Sequence, residues 1–243
     1  MAGKSFLIDT TRCTACRGCQ IACKNWNRNG ASMTKNTGSH QNPPDLDGNT
    51  FKLVRFSEVE TEGKVAWYFF ADQCRHCLEP PCKDAIEGHV KDGAAQDAAT
   101  GAVTYTDKAK EVPFDEVRAS CPYDIPRQAA DKRLVKCTMC IDRVSNGLLP
   151  ACVKICPTGA MNFGDRDAML ALAKERLEKL KGKYPKAQLL DADQVRTIFL
   201  VADDPAKYHK KAVASLSPGN TRKLAARPVS KPVAGLLRVL RLG

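Results

Sequence analysis

An α+β fold of two related modules, the second inserted in the first, is predicted by three features of this 243-residue sequence. Two strand-like runs, K4-S-F-L-I-D9 and V65-A-W-Y-F-F70 with its continuation to Asp72, each end on an acidic residue and lead into a tight cysteine loop. The cysteine motifs nest: C13-T-A-C16-R-G-C19-Q-I-A-C23 opens the chain, C137-T-M-C140 with Cys152 and Cys156-Pro157 closes the region, and four more cysteines lie between. A long amphipathic pattern from Asp167 and one strand pattern follow the last cysteine.

In chain order, residues 4–9 form a strand that delivers the chain to the first loop, and Gly18 suits a tight backbone turn there. Residues 24–50 are polar and rich in turn formers, an ordered excursion or a partner-facing loop outside the core. F51-K-L-V-R-F56 and V65–F70 read as strands, the second ending at Asp72 before C74-R-H-C77-L-E-P-P-C82, so strand, acid and cysteine loop repeat internally. G101-A-V-T-Y-T106 supplies a hairpin-like strand, and C121-P-Y-D-I-P-R127 closes the inserted module. Pro122 and Pro157 each follow a cysteine, where a fixed φ stiffens the exit. Leu170, Ala173, Leu177 and Leu180 share one face of the helix beginning at Asp167, with Asp165 or Asp167 as its cap and G182-K-Y-P185 as its end. R196-T-I-F-L-V201 is a final strand. The division is an outer module of residues 1–66 and 131–166, an inserted module of 67–130, a helix-and-strand element of 167–206, and an extended basic tail of 207–243. The last residues, from Pro232, read either as a short amphipathic helix against a protein or anionic surface or as a solvated tail.

Charge and composition exclude several classes. The net charge is +11, but residues 207–243 contain nine Lys or Arg and no acid, so the excess is local. Basic residues beside the cysteine loops (Arg12, Arg17, Lys24, Lys132, Arg133, Lys136, Arg143) are placed to offset buried negative charge. No aromatic interleaving or recognisable nucleic-acid module accompanies them, so nucleic acid is not the expected partner. The start of the chain lacks a basic region followed by an apolar run, and no window is long and apolar enough to span a membrane. No nucleophile–base pair and no phosphate loop is evident, so no bond chemistry is expected of this chain.

The twelve cysteines carry the chemistry. Steps of C-x2-C and C-x3-C converge thiolates on a metal centre, a form that disulfide frameworks rarely take. C-x2-C-x2-C-x3-C is an iron–sulfur spacing, in which three thiols hold one cluster and the fourth is carried to another. Four thiolates per cluster and twelve cysteines give three 4Fe-4S clusters in two ferredoxin-like modules. The exchange rule groups Cys13, Cys16 and Cys19 with Cys156, and Cys137, Cys140 and Cys152 with Cys23. The middle set is Cys74, Cys77 and Cys82 with Cys121. A complete second module would carry four further ligands where Ile86, Glu111, Phe114 and Val117 stand, so all ligands of one cluster are absent together. Zinc is the alternative metal, since paired C-x2-C hooks also bind it, in a redox-silent adaptor. His76 reads as a donor to sulfur or a packing residue before a ligand, and Trp26 as a cover on a cluster edge or ordinary core. Lys24, Lys136 and Lys154 adjoin ligands, where a cation raises a cluster's potential or forms a surface ion pair.

Over residues 4–165 these motifs resemble the ferredoxin-type electron-transfer subunits that accompany molybdenum or tungsten bis-pterin oxidoreductases. With the fourth cluster's ligands missing, and with N36-T-G-S-H-Q-N-P-P-D45 and G147-L-L-P-A-C-V-K-I-C-P-T-G-A-M161, the chain resembles the beta subunits of soluble formate dehydrogenases of sulfate-reducing bacteria. The resemblance implies a periplasmic heterodimer, co-exported with a large subunit that holds the tungsten or molybdenum pterin centre and one further 4Fe-4S cluster. That subunit would oxidise formate, and this chain would pass the electrons on to a multihaem cytochrome c, the Cys13 cluster receiving them first. The same relay in a thiosulfate, polysulfide or nitrate reductase is the alternative, as is a cytoplasmic location.

Overall fold

The computed structural model describes residues 3–61 and 63–216. Strand β1 (Lys4–Asp9) runs into a 3-10 turn (Thr10–Arg12), a cysteine loop and helix α1 (Gly18–Trp26). A long hairpin of β2 (Leu53–Thr61) and β3 (Lys64–Asp72) leads to the second cysteine loop and α2 (Pro81–Glu87), which starts on a proline that needs no N–H partner there. The hairpin β4 (Ala94–Gln96)–β5 (Val103–Tyr105), helix α3 (Phe114–Ser120) and the hairpin β6 (Arg127–Gln128)–β7 (Leu134–Val135) follow. Two single-turn helices, α4 (Ile141–Val144) and α5 (Ala151–Lys154), carry the last cysteine motif. Then come β8 (Met161–Asp165), α6 (Arg166–Lys181), β9 (Gln188–Leu190), β10 (Thr197–Val201) and α7 (Pro205–Tyr208). No helix among the described residues is long and apolar enough to cross a membrane.

Strand alternation sorts the main sheet into two faces. Its order is β8-β1-β10-β9, with β1 antiparallel to β8 and parallel to β10. Phe6, Ile8, Phe199 and Val201 point to one side, into a core that includes Cys152, with Cys19 and Cys156 packed against it. Leu7, Ile198 and Leu200 point to the other, where α6 lays Leu170, Ala173, Leu177 and Leu180 over them, the face read from the sequence. Asp165 holds the N-cap position of α6 but makes no capping bond; its carboxylate instead pairs with Lys4 at 2.6 Å. The strand predicted at the end of the helix-and-strand element is integral to the cysteine module, because β10 occupies the sheet position beside β1. A parallel neighbour so distant in sequence leaves no local signature.

The inserted segment has its own small core. Ile86 and Val117 are fully buried with Cys82, Ala94, Val103, Ala109, Val112 and Leu134, and Phe114 packs against them. Three of the four positions where ligands of a further cluster were expected are thus apolar filling, while Glu111 is exposed. The polar segment 28–50 is an ordered excursion pinned from below: Arg17 and Gln20 donate to the carbonyls of His40 and Asn42, and Asp45 pairs with Arg55 and Arg127 at 2.6 and 2.8 Å.

The tail predicted to leave the body at Lys207 stays on it through Leu216. Tyr208, Ala212 and Ala214 are buried, and the Tyr208 ring packs edge-on against Tyr68 with centroids 5.0 Å apart. Three small or aromatic side chains suffice to dock a basic stretch when its charged heads remain in water. The rest of the tail, with the helix proposed from Pro232, lies outside the described residues.

Truncating Ile86 to Ala removes core filling without touching a cysteine, and should cost about 2–5 kcal/mol. Met33→Ala, at a side chain 99 % exposed, should stay within about 0.5 kcal/mol. Denaturant titration of the anaerobic holoprotein followed by circular dichroism separates the two.

Candidate metal centres

Each cysteine loop adopts backbone that helix and strand cannot supply. Ala15 and Arg17 (φ 53° and 60°), His76 (45°), and Met139 and Cys140 (62° and 49°) all sit in the left-handed region without being glycine. Such residues are sparse in proteins and gather where a site over-determines the chain. The turns aim N–H groups at sulfur: His76 N donates to Cys74 Sγ at 3.3 Å and Met139 N to Cys137 Sγ at 3.4 Å.

The thiols meet in three neighbourhoods. Cys13, Cys16, Cys19 and Cys156 surround one another and line a hollow of about 370 Å³ that opens to solvent beside Ile8, Val54 and Met161. The β1–β8 register, Ile8 opposite Met161, sets the first loop beside the turn that carries Cys156. Cys23 has Cys137, Cys140 and Cys152 as its neighbours, since α1 packs against α5. Four residues of helix between Cys19 and Cys23 advance about 6 Å along the axis, enough for α1 to serve two places. Cys74, Cys77, Cys82 and Cys121 ring a second hollow, of about 330 Å³, with Pro80, Pro122 and Tyr123 in its wall. The neighbourhoods follow one another in series: Cys152 lies near Cys19, and Cys137 near Cys74. Among the described residues no three thiol, imidazole or carboxylate groups close to the spacing a single ion needs.

Burial governs the titration of these thiols. It pushes Cys121 and Cys152 up to about 12 and Cys137 higher still, with neighbouring thiols adding to the effect. Cys156 is the exception: burial raises it, but N–H donation from Met161, the Thr158 hydroxyl and further N–H groups outweigh that and lower it.

Cations share the interior. Lys52, 1 % exposed, donates to the Ala71 carbonyl at 3.1 Å and Gln73 Oε1 at 2.6 Å, and stands among Cys19, Cys23, Cys137 and Cys152. Its ammonium is held above the ordinary value, since the thiolates' attraction exceeds the burial penalty. Arg75 is buried beside the third set between Phe199, Tyr123 and Phe70, its charge met by Asp72 at 2.9 Å. Burial would raise Asp72, but Arg75 and Arg55 hold it low. Of the three lysines singled out by sequence, only Lys136 belongs here: it is buried, bonds the Val103 carbonyl and lies near Cys82. Lys24 ties the carbonyls of Gly30 and Asn49, and Lys154 is exposed. Lys52 was missed because it lies far along the chain from the cysteines it faces, and Arg75, although it stands between Cys74 and Cys77, because its burial among aromatic rings comes from distant segments. Period-two burial of a lysine inside F51-K-L-V-R-F56 was the available signal for Lys52. Trp26 is a half-exposed strap that bonds Asp142 at 2.8 Å beneath Arg143.

Hollows ringed by thiols and N–H donors, joined in series through a dry core, define an iron–sulfur electron carrier. Residues 65–166 match the 4Fe-4S dicluster domain family. The chain is 54 % identical over 213 residues to the formate dehydrogenase subunit beta of Megalodesulfovibrio gigas, covering 87 % of this chain and 99 % of that one. It is 53 % identical to "formate dehydrogenase 2 subunit beta (cytochrome c-553)" of Nitratidesulfovibrio vulgaris, covering 86 % and 98 %. To the formate dehydrogenase-O iron-sulfur subunit of Escherichia coli it is 40 % identical, covering 84 % and 69 %. The chain belongs to the beta, or iron–sulfur, subunits of formate dehydrogenases.

Because Cys121 and Cys152 hold their protons up to about pH 12, the apo fold keeps that stabilisation below the ordinary thiol value of 9.0 and loses it as pH climbs toward 12. Loading iron displaces those protons, so anaerobic iron and sulfide uptake should accelerate from pH 7 to 9, with proton release measurable in weak buffer. Uptake that is flat or slows over this range would show the thiols to be ionised beforehand.

Proposed function

We propose that this chain is the three-cluster relay of a periplasmic formate dehydrogenase, taking electrons from the large pterin-containing subunit and delivering them to a multihaem cytochrome c. The carrying observation is the serial order of the three thiol neighbourhoods, Cys19 near Cys152 and Cys137 near Cys74. In this reading Cys13, Cys16, Cys19 and Cys156 hold the first cluster, and Cys23, Cys137, Cys140 and Cys152 the second. Cys74, Cys77, Cys82 and Cys121 hold the third. Bound there, each cluster supplies a one-electron carrier whose potential follows local charge and hydrogen bonding. The residues do the rest. Apolar walls exclude water, the left-handed turns fix N–H groups on sulfur, and Lys52 places a buried positive charge between the first two sites. Four thiolates on one zinc would stand within about 4 Å of each other, given bonds of about 2.3 Å. Thiols spread around a hollow suit a cube better. The apolar filling by Ile86, Phe114 and Val117 supports three clusters over four.

Cys16, the exposed thiol of the first set, puts that end of the series at the surface and suits it to entry from the large subunit, which would carry tungsten or molybdenum and one further 4Fe-4S cluster. The third set is then the exit, a direction reversed when carbon dioxide is reduced. The name of the Nitratidesulfovibrio relative, which includes cytochrome c-553, supports a cytochrome acceptor. Export with the large subunit, already folded, accounts for a periplasmic location.

The test is elemental analysis of the complex isolated anaerobically through a tag on this chain. The expected result is about sixteen irons, about twelve of them here, with one tungsten or molybdenum, and formate-dependent reduction of an added cytochrome c. Iron without either metal would sink the partner assignment, and about eight irons on this chain would sink the cluster count. Lys52→Met should make the first two clusters harder to reduce and leave the third in place, as read by redox titration followed by paramagnetic resonance. An unchanged pair of potentials would remove Lys52 from the relay.

A further inference from the structure

Among the described residues, the buried donors in the wall of the third hollow that lack a protein partner include Arg75 Nε, Arg75 Nη2 and His76 Nε2, while Tyr105 in the same wall stands beside Cys82. The Arg75 and His76 side chains are enclosed, at 2 % and 0 % exposure. The His76 ring has a defined proton. Its Nδ1 accepts the Val103 N–H at 3.0 Å, so Nδ1 carries no hydrogen and the neutral imidazole bears its proton on Nε2. Arg75 spends Nη1 on Asp72 and the Gln73 carbonyl, leaving the Nε–H and Nη2 hydrogens unanswered. A buried donor left unmade costs about 1–3 kcal/mol, more when charged. His76 also holds left-handed backbone at φ 45° while its own N–H is donated to Cys74 Sγ. Strain and unanswered donors coincide at one wall, and what that wall faces is the space between Cys74, Cys77, Cys82 and Cys121.

We propose that His76 Nε2–H and the unpartnered Nε–H and Nη2–H edge of the Arg75 guanidinium donate to the inorganic sulfur of the cluster held by that set, making His76 and Arg75 positioning residues that raise the potential of this one cluster. This rests on the three-cluster reading and goes beyond it by assigning a role to two non-cysteine side chains. Hydrogen bonds and positive charge both favour the more negative, reduced cluster, so electrons arriving through Cys137 and Cys74 collect at the exit. Lys136, buried near Cys82, acts in the same direction. Between the first two sites stands Lys52, with Arg143 beside Cys140.

The experiment is a redox titration of the intact complex followed by paramagnetic resonance, comparing wild type with His76→Phe, His76→Gln and Arg75→Lys. The expected result is that His76→Phe lowers one of the three midpoints of this chain by at least tenfold in the oxidised-to-reduced ratio, or 59 mV for one electron. The other two should hold, Arg75→Lys should lower the same one, and His76→Gln should recover part of the shift because its amide offers an N–H. No shift, or an equal shift of all three, overturns the proposal. Should His76→Phe fail to assemble, pulsed resonance on complex grown with ¹⁵N-histidine decides. A histidine nitrogen coupled to this reduced cluster in wild type and lost in His76→Gln supports the proposal. No coupling in wild type means the donors meet water instead, and overturns it. Twelve irons with unmoved potentials would defeat this inference only, whereas a third site without iron would defeat the reading beneath it.

Discussion

No single loop of this chain can close a four-thiol site. Each motif brings three sulfurs to one side of a hollow, and the fourth has to come from a distant turn: Cys156 to the first loop, Cys23 to the last, Cys121 to the middle one. The fold meets this requirement by fixing distances between loops. Pairing of β1 with β8 brings Cys13 and Cys156 to one end of a sheet, and the packing of α1 on α5 brings Cys23 to Cys152. Strand β10 stiffens the arrangement from the middle of the sheet, with α6 sealing its far face.

Electrostatics impose the second requirement. Desolvation drives buried thiols such as Cys23, Cys77, Cys121, Cys137 and Cys152 toward the neutral form, the opposite of what an iron centre needs. Two devices oppose it. N–H groups on left-handed turns donate to sulfur, and buried cations stand within the same core. Burying a cation alone costs several kcal/mol, so each is tied down by neutral or acidic oxygen: Lys52 by Ala71 and Gln73, Arg75 by Asp72. Asp72 in turn pairs with Arg55, whose second partner Asp45 also meets Arg127, so the charges of the second loop are linked to the segment 28–50. A polar stretch without regular structure is thereby coupled to the interior it covers.

The inserted segment fills with apolar side chains three of the positions where ligands of a further cluster would stand. Thiols that converge on a cube leave a void when lost, and close-packed interiors do not tolerate voids. Ile86, Val117 and Phe114 occupy that space, while Cys121 and Pro122, which serve the neighbouring set, are retained. Loss on one side of the module is therefore compatible with an intact wall on the other.

Local features were legible from sequence because they depend on near neighbours. Cysteine spacing, the strands leading into the loops and the apolar stripe of α6 all follow from periodicities of two, three or four residues. Other features had no such trace. The place of β10 beside β1, the docking of residues 207–216, Asp165 turning to Lys4, and Lys52 reaching four thiols of two sets are meetings between segments far apart in the chain. His76 lay between these limits: its position beside Cys74 and Cys77 was visible, but its tautomer is set by the N–H of Val103, which a hairpin brings to it. Sequence by itself determined which atoms can bind metal and how many sites they can form, because ligand chemistry resides in residue type and short spacing. Tertiary structure alone decided which cations and donors surround each site, because charge acts through space and takes no account of order along the chain.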